Sequence, residues 1–295
     1  MQFPNLAKMV KTVTLLALAA LLLIGTAAAQ ELAIRLDSAN KHNLPKDFRI
    51  IAELSASGSA QFSEAGLKKV RESLPEGPLV IVDLRQESHG FVNGSAVSWY
   101  GDRNWANLGK GLAEVKADEE NRLGQLQAGQ VILLDKDLKK DPATGELTSS
   151  KGTSVLVKTV ASEEQLANSL HIGYFRLPVT DHRRPLDADV DSFIAFIRTL
   201  PPGVWLHFHC EAGHGRTTTF LVMLDMMKNA KTDSFETILE RQHSAGGIDL
   251  LAESERGWRV PFDEERVAFL RNFYEYCRIN KDGFATSWTS WLAGR

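Results

Sequence analysis

Cysteine is nearly absent: Cys210 and Cys277 are the only two in 295 residues. A disulfide-stapled scaffold is therefore excluded. Excess charge of either sign is also missing, the formal net charge being −3. That argues against a nucleic-acid binder driven by bulk charge. The chain has no internal repeat and no low-complexity tract, so it is neither a solenoid nor a linker. Its one long apolar run, Val13 to Ile24, is too short for a comfortable membrane span.

That run belongs to a leader. Lys8 and Lys11 precede it and Ala27-Ala28-Ala29 follows it, the pattern of a signal peptide over 1–29 with a mature chain from Gln30. The alternative is an uncleaved anchor. Loss of the two lysines takes the formal net charge from −3 to −5. A periplasmic or secreted protein with no stable membrane association after cleavage is expected. Residues 30–295 are enough for one large domain. Cys277 shares an apolar helical stripe with Val267, Leu270 and Tyr274, which suits a buried free thiol.

The pattern of elements reads as α/β. Leu79 to Leu84 is a continuous apolar run, which suits a strand covered on both faces. His171 to Leu177 and Val204 to His209 are further strand candidates. Helices are expected from Ser63 to Pro75, from 187 to 200, from 217 to 228, from 233 to 243 and from 263 to 279. Ser63 is an N-cap for the first of these, and Ser162-Glu163-Glu164-Gln165 is a capping box for a short helix ending near Leu170. Gln130–Asp137 and Ser154–Ala161 read as β-runs around a turn at Pro142–Glu146, so 111–161 is expected to be a β-rich insertion beside the main sheet.

The chemistry concentrates at His209-Cys210-Glu211-Ala212-Gly213-His214-Gly215-Arg216-Thr217. An apolar strand breaks into a glycine-bearing loop and resumes as a helix, which is the geometry of an anion cradle. Helix N-termini and arginines favour a thiolate, and a thiolate is the nucleophile. Arg216 offers a planar fork suited to two phosphate oxygens. Gly213 and Gly215 let the backbone approach a ligand closely, and Thr217 is placed to donate to the sulfur. The bland alternative is a buried apolar Cys210 and an ordinary helix-start Arg216. A phosphate ester also needs a proton for its leaving oxygen. Asp181 lies 29 residues before Cys210, with one helix and one strand between, which places a mobile acid loop at the same sheet edge. The competing reading is that Asp181 caps a turn or pairs with Arg183. His207, His209 and His214 lack the fixed geometry and the acid cluster of a metal site, so no metal and no organic cofactor is expected. His182 and His214 are read as phosphate contacts.

The Cys-Glu-Ala-Gly-x-Gly-Arg-Thr-Thr run resembles the phosphate loop of cysteine-dependent phosphatases, and within them the protein tyrosine phosphatase-like phytases. The stretch from Asp83 to Gly94, with Val97–Gly101 and Asn104–Asn107, resembles that family more specifically, as does Leu44-Pro45-Lys46-Asp47-Phe48-Arg49. The resemblance implies a phosphatase core with a central, mostly parallel sheet flanked by helices, plus a small inserted β-barrel-like subdomain. It implies a phosphocysteine mechanism on inositol polyphosphates with Cys210, Arg216 and Asp181 catalytic. Glu211, Ala212, Gly213, His214, Gly215, Thr217, His182 and Arg49 are the implied substrate contacts. Arg85, Glu87 and His89 serve either the substrate or a structural network under the loop, and Arg49 is otherwise a surface ion pair. A net-acidic chain needs a locally basic pocket for such a substrate. Arg49, Arg85, His182, Arg183, Arg184, His214, Arg256 and Arg259 are the expected supply, with Arg266 a further candidate. Glu211 must then point away from phosphate. The implied partner is a small anionic substrate and not a nucleic acid. The rival readings are a secreted tyrosine or dual-specificity phosphatase and a non-catalytic inositol-phosphate binder.

Overall fold

A computed structural model describes residues 32–252 and 257–295. The leader over 1–29 and Arg256 lie outside the described residues. The strands in chain order are β1 (Ala33–Ser38), β2 (Arg49–Ile51), β3 (Ala56–Ser59), β4 (Leu79–Asp83), β5 (His89–Val92), β6 (Ser95–Tyr100), β7 (Val131–Asp135), β8 (Lys139–Lys140), β9 (Leu147–Ser149), β10 (Gly152–Leu156), β11 (Val160–Ala161), β12 (Gly173–Arg176) and β13 (Trp205–His209). The α-helices are α1 (Glu64–Glu72), α2 (Leu112–Gly124), α3 (Glu163–Ser169), α4 (Asp187–Thr199), α5 (Gly215–Asn229), α6 (Phe235–Ser244), α7 (Val260–Ile279) and α8 (Trp288–Ala293).

The main sheet runs β12-β4-β13-β3-β2, parallel except for β2 at its edge. Strand periodicity of two sends successive side chains to opposite faces. Val82, Leu206 and Phe208 join the larger core with α4, α5, α6 and α7, while Leu79 and Ile81 join a second core with α1 and α3. Helix α5 is buried without interruption from Arg216 to Met226, which is why its sequence shows no amphipathic stripe. The register aligns Arg176, Asp83, His209 and Ser59 across the C-terminal edge of this sheet. Open parallel sheets place ligands at that edge.

A second sheet, β10-β7-β1-β6-β5-β11, packs around its own small core of Val92, Val97, Ile132, Leu134 and Val157. The sheet extends beyond the expected insertion. β7 and β10 pair as a hairpin, but half of the sheet comes from β1, β5 and β6, outside 111–161. The segment also begins with a helix, α2, whose Val115, Glu119 and Leu123 are buried. Strands β5 and β6 are joined at Asn93-Gly94, both at positive φ (55° and 74°), as in a type I′ hairpin turn. Strand β1 carries no alternation of buried and exposed residues, all six being half-buried, so its local pattern is weak.

Candidate active site

β13 ends at His209 and α5 begins at Gly215, so the loop that carries Cys210 at the sheet edge is five residues long. Gly213 has φ +75°, and a Cβ there would stand 2.4 Å from the Ala60 amide nitrogen. Only glycine fits this close approach. The Thr217 hydroxyl donates to Cys210 Sγ at 3.2 Å. Arg49 is buried beneath the loop, not displayed at its rim: its Nη2 donates to the Gly213 carbonyl at 3.0 Å and to Thr218 Oγ1 at 3.2 Å. The expected substrate contact at Arg49 is thus replaced by a brace behind the loop, because both carbonyl and hydroxyl face inward.

Arg216 is held from one side. Its Nη1 and Nη2 donate to Glu87 Oε2 and Oε1 at 2.7 and 3.0 Å, and Nη1 also reaches the carbonyls of Leu84 and Val179. Its Nε is buried without a partner. Burial of Glu87 opposes ionisation, but Arg216 and then Arg85 overcome it and hold that carboxyl down to about 2. Asp181 Oδ1 stands 3.2 Å from Arg216 Nη2 and accepts the His182 amide at 3.0 Å. Its other oxygen accepts from Asn104 Nδ2 at 3.0 Å, and its backbone carbonyl accepts from Trp105 Nε1 at 2.8 Å. Burial again opposes charge, yet Arg216 and His182 hold this carboxyl far below the usual carboxylate range. Burial lowers His182 to about 4, leaving a neutral imidazole at pH 7.

Asp181 and His182 open onto a cavity of about 450 Å³. Cys210, Glu211, Ala212, His214 and Gly215 line it on the loop side, and Asp181, His182, Lys140, Arg259 and Arg266 close it opposite. Arg266 Nη2 donates to the His182 carbonyl at 2.8 Å. Glu211 lines the wall with its carboxylate ion-paired to Arg35, which ties the loop to β1 and keeps that charge off the cradle. Several expected basic groups lie elsewhere. Arg85 is fully buried between Asp37 and Glu87. Arg183 lies over the Trp105 and Phe262 rings, and Arg184 pairs with Asp187 and Glu265. Gln242 is spent on buried Asp225 at 2.8 Å.

The three histidines have separate partners. Ser57 and Ser59 contact the two ring nitrogens of His207, Glu163 lies 2.6 Å from His209, and Asp47 lies 3.2 Å from His214. Among the described residues, the His and carboxylate groups that gather as metal ligands would are Asp83, His89 and Glu163. There Arg176 stands 3.0 Å from Asp83, and burial of His89 is outweighed chiefly by Asp83, raising it to about 10. An imidazolium and a guanidinium already balance those carboxylates. The cluster underpins the sheet edge behind the loop.

Sequence reasoning did not single out Lys140, Arg35 or Asp249 near this cavity. Lys140 sits on the short β8–β9 ribbon, and nothing in its local sequence marks it. Asn104 and Trp105 lay within a stretch known only by resemblance, with no role attached.

The family described as PTP-like phytase, inositol hexakisphosphate, matches residues 82–228. An effector protein, hopD2, of Pseudomonas syringae pv. tomato is 32% identical over 250 residues, covering 82% of this chain and 52% of that one. A PTP-like myo-inositol phosphatase from Mitsuokella multacida, solved with myo-inositol-(1,3,4,5)-tetrakisphosphate, superposes with a TM-score of 0.79 at 37% identity. That match covers 88% of this chain and 49% of the other. This chain thus spans about half the length of each of those two relatives. A PTP-like phytase from Bdellovibrio bacteriovorus matches at 37% identity and a TM-score of 0.77, over 89% of this chain and 95% of its own. With the fold and 37% of residues shared across 95% of that last protein, the chain belongs to the family of protein tyrosine phosphatase-like phytases.

Proposed function

We propose that this protein is a phosphoric monoester hydrolase acting on inositol polyphosphates through a phosphocysteine. One observation carries the reading: Cys210 and Asp181 line one cavity, and the Asp181 carboxyl stands 3.2 Å from the Arg216 guanidinium. The substrate phosphate enters the loop, where backbone N–H groups and Arg216 Nε face its oxygens. Cys210 attacks phosphorus as the ester P–O bond breaks, and the leaving inositol oxygen takes the proton of Asp181. Water then attacks the phosphocysteine, gives its proton to Asp181 and releases inorganic phosphate with the thiolate restored.

Asp181 is an anion in the free protein, so the arriving substrate must load it. A phosphate dianion competes for Arg216 and brings negative charge beside the carboxylate, and both effects raise its proton affinity. Lys140, His182, His214, Arg259 and Arg266 around the cavity suit a substrate carrying several phosphates, as does the inositol tetrakisphosphate bound by the Mitsuokella relative. The basic, apolar leader ending at Ala27–Ala29 supports export to the periplasm or medium.

The test is phosphate release from phytate by wild type, Cys210→Ser and Asp181→Asn. Near-abolition is expected for the first, and a loss of roughly 10²- to 10⁴-fold for the second. Undiminished release by Cys210→Ser would overturn the thiol mechanism. Turnover of a phosphotyrosine peptide far above that of phytate would overturn the substrate assignment.

A further inference from the structure

We propose that Asn104 is a positioning residue for the general acid, its carboxamide turning over so that it donates to the Asp181 carboxylate and accepts from the Asp181 carboxylic acid. The inference rests on the phosphatase reading above. Asn104 is buried, 4% exposed, with Nδ2 3.0 Å from Asp181 Oδ2. Its Oδ1 is also buried and has no partner. Buried amide oxygens are ordinarily satisfied, and this one sits beside a group that must change protonation state. Because no other group binds Oδ1, nothing but Asp181 selects which end of the amide faces it. A 180° turn about the Cβ–Cγ bond exchanges donor for acceptor at the same contact. The amide therefore follows the proton without moving the acid.

The local backbone is built to present this side chain. Arg103 and Asn104 both have positive φ, 56° and 66°, a conformation that asparagine tolerates better than most residues. The Asn104 amide is tied to the Gly101 carbonyl at 2.8 Å, and the Arg103 guanidinium lies over the Trp105 and Trp258 rings. Trp105, the next residue, grips the Asp181 carbonyl. One short turn thus holds both the backbone and the carboxyl of the acid, where the sequence suggested a mobile loop. Strained backbone clusters where geometry matters for function.

Asp181 also faces charges from other elements: Arg216 on α5 and Lys140 on β8 favour its anion, while the adjacent His182 is neutral at pH 7. Glu87 and Glu211 oppose the cations, and Tyr100 stands nearby as a neutral phenol, pushed upward by burial and by Asp181. Of the side chains against the Asp181 carboxylate, Arg216 only donates, whereas Asn104, hydrogen-bonded to Oδ2, carries both a donor and an acceptor.

The experiment compares wild type, Asn104→Ala and Asn104→Asp on two substrates across pH. Phytate releases an alkoxide that needs the acid's proton, whereas p-nitrophenyl phosphate releases a weakly basic phenolate that does not. Asn104→Ala is expected to lose roughly 10- to 100-fold in kcat on phytate, part of a general acid's contribution, and little on the aryl ester. Asn104→Asp places a second carboxyl beside Asp181, so the pair shares one proton and the alkaline limb of the phytate pH profile moves upward. Equal losses on both substrates with an unshifted profile in either variant would overturn the proposal and assign Asn104 a structural role. If Asp181→Asn shows the leaving-group-dependent loss and Asn104→Ala does not, this inference alone fails. If Cys210→Ser keeps full activity, the phosphatase reading fails with it.

Discussion

Glu87→Gln removes one charge from the group that grips Arg216 and changes almost nothing in shape. Glu87 is fully buried and binds Arg216 through both oxygens while also accepting from Arg85 Nε at 2.8 Å. Its carboxyl titrates at about 2 where an ordinary glutamate titrates at 4.5. That difference corresponds to about 3 kcal/mol of folding free energy at neutral pH. Removing one partner of a buried pair costs about 3–5 kcal/mol by an independent route. The lower figure applies, because Gln can still accept from Arg216 and the Leu84 and Val179 carbonyls remain. The sign follows from the depressed value. The contribution is present above the unfolded-state pKa near 4.5 and is lost as pH falls through about 2. Urea unfolding of wild type and variant at pH 7, 5, 4 and 3 is the assay. A gap of about 3 kcal/mol at pH 7 that narrows steadily below pH 4.5 is expected. A gap under about 1 kcal/mol at pH 7, or one that is unchanged at pH 3, would refute the reasoning.

Two other perturbations address the loop and the network behind it. Gly213→Ala drives a Cβ to 2.4 Å from the Ala60 nitrogen at a positive φ, so the loop must shift; a fall in phosphate release of about 10²-fold or more is expected, read alongside the unfolding midpoint. His89, raised to about 10, stabilises the fold fully below the ordinary 6.5 and loses that contribution as pH rises through 10. Wild-type stability should therefore fall between pH 6.5 and 10 by up to about 1.4 kcal/mol per pH unit, and His89→Gln should flatten that slope. A slope that survives the substitution would place the titrating group elsewhere.

Much of this protein was legible before any coordinates. The apolar strand, the glycine-bearing loop and the following helix announce an anion cradle locally, because strand, turn and helix signals are short-range. Cys210, Arg216 and Thr217 could be named from that run, and Asp181 from one helix-and-strand interval. Arg49, Arg183 and Arg184 show the limit. Each is a cation in a suggestive place, yet Arg49 braces the loop from beneath, Arg183 stacks on aromatic rings and Arg184 pairs with carboxylates. A basic side chain has no signature that separates a ligand from a brace. The full extent of the second sheet was hidden for a related reason: β1 joins the β5–β6 hairpin through pairings tens of residues apart, and no periodicity records them.

The local sequence sufficed to mark the anion cradle, since Cys210, the two glycines, Arg216 and Thr217 fall in one short run whose mutual geometry is set by one strand–loop–helix unit. The tertiary structure alone decided which charges reach the cavity. It brought Lys140 from the β8–β9 ribbon and Arg259 and Arg266 from the start of α7. It spent Arg85 and Glu87 on a buried network and set Asn104 against Asp181 across 77 residues. Those placements depend on packing between distant segments, where the burial and pairing that fix a charge's role are settled.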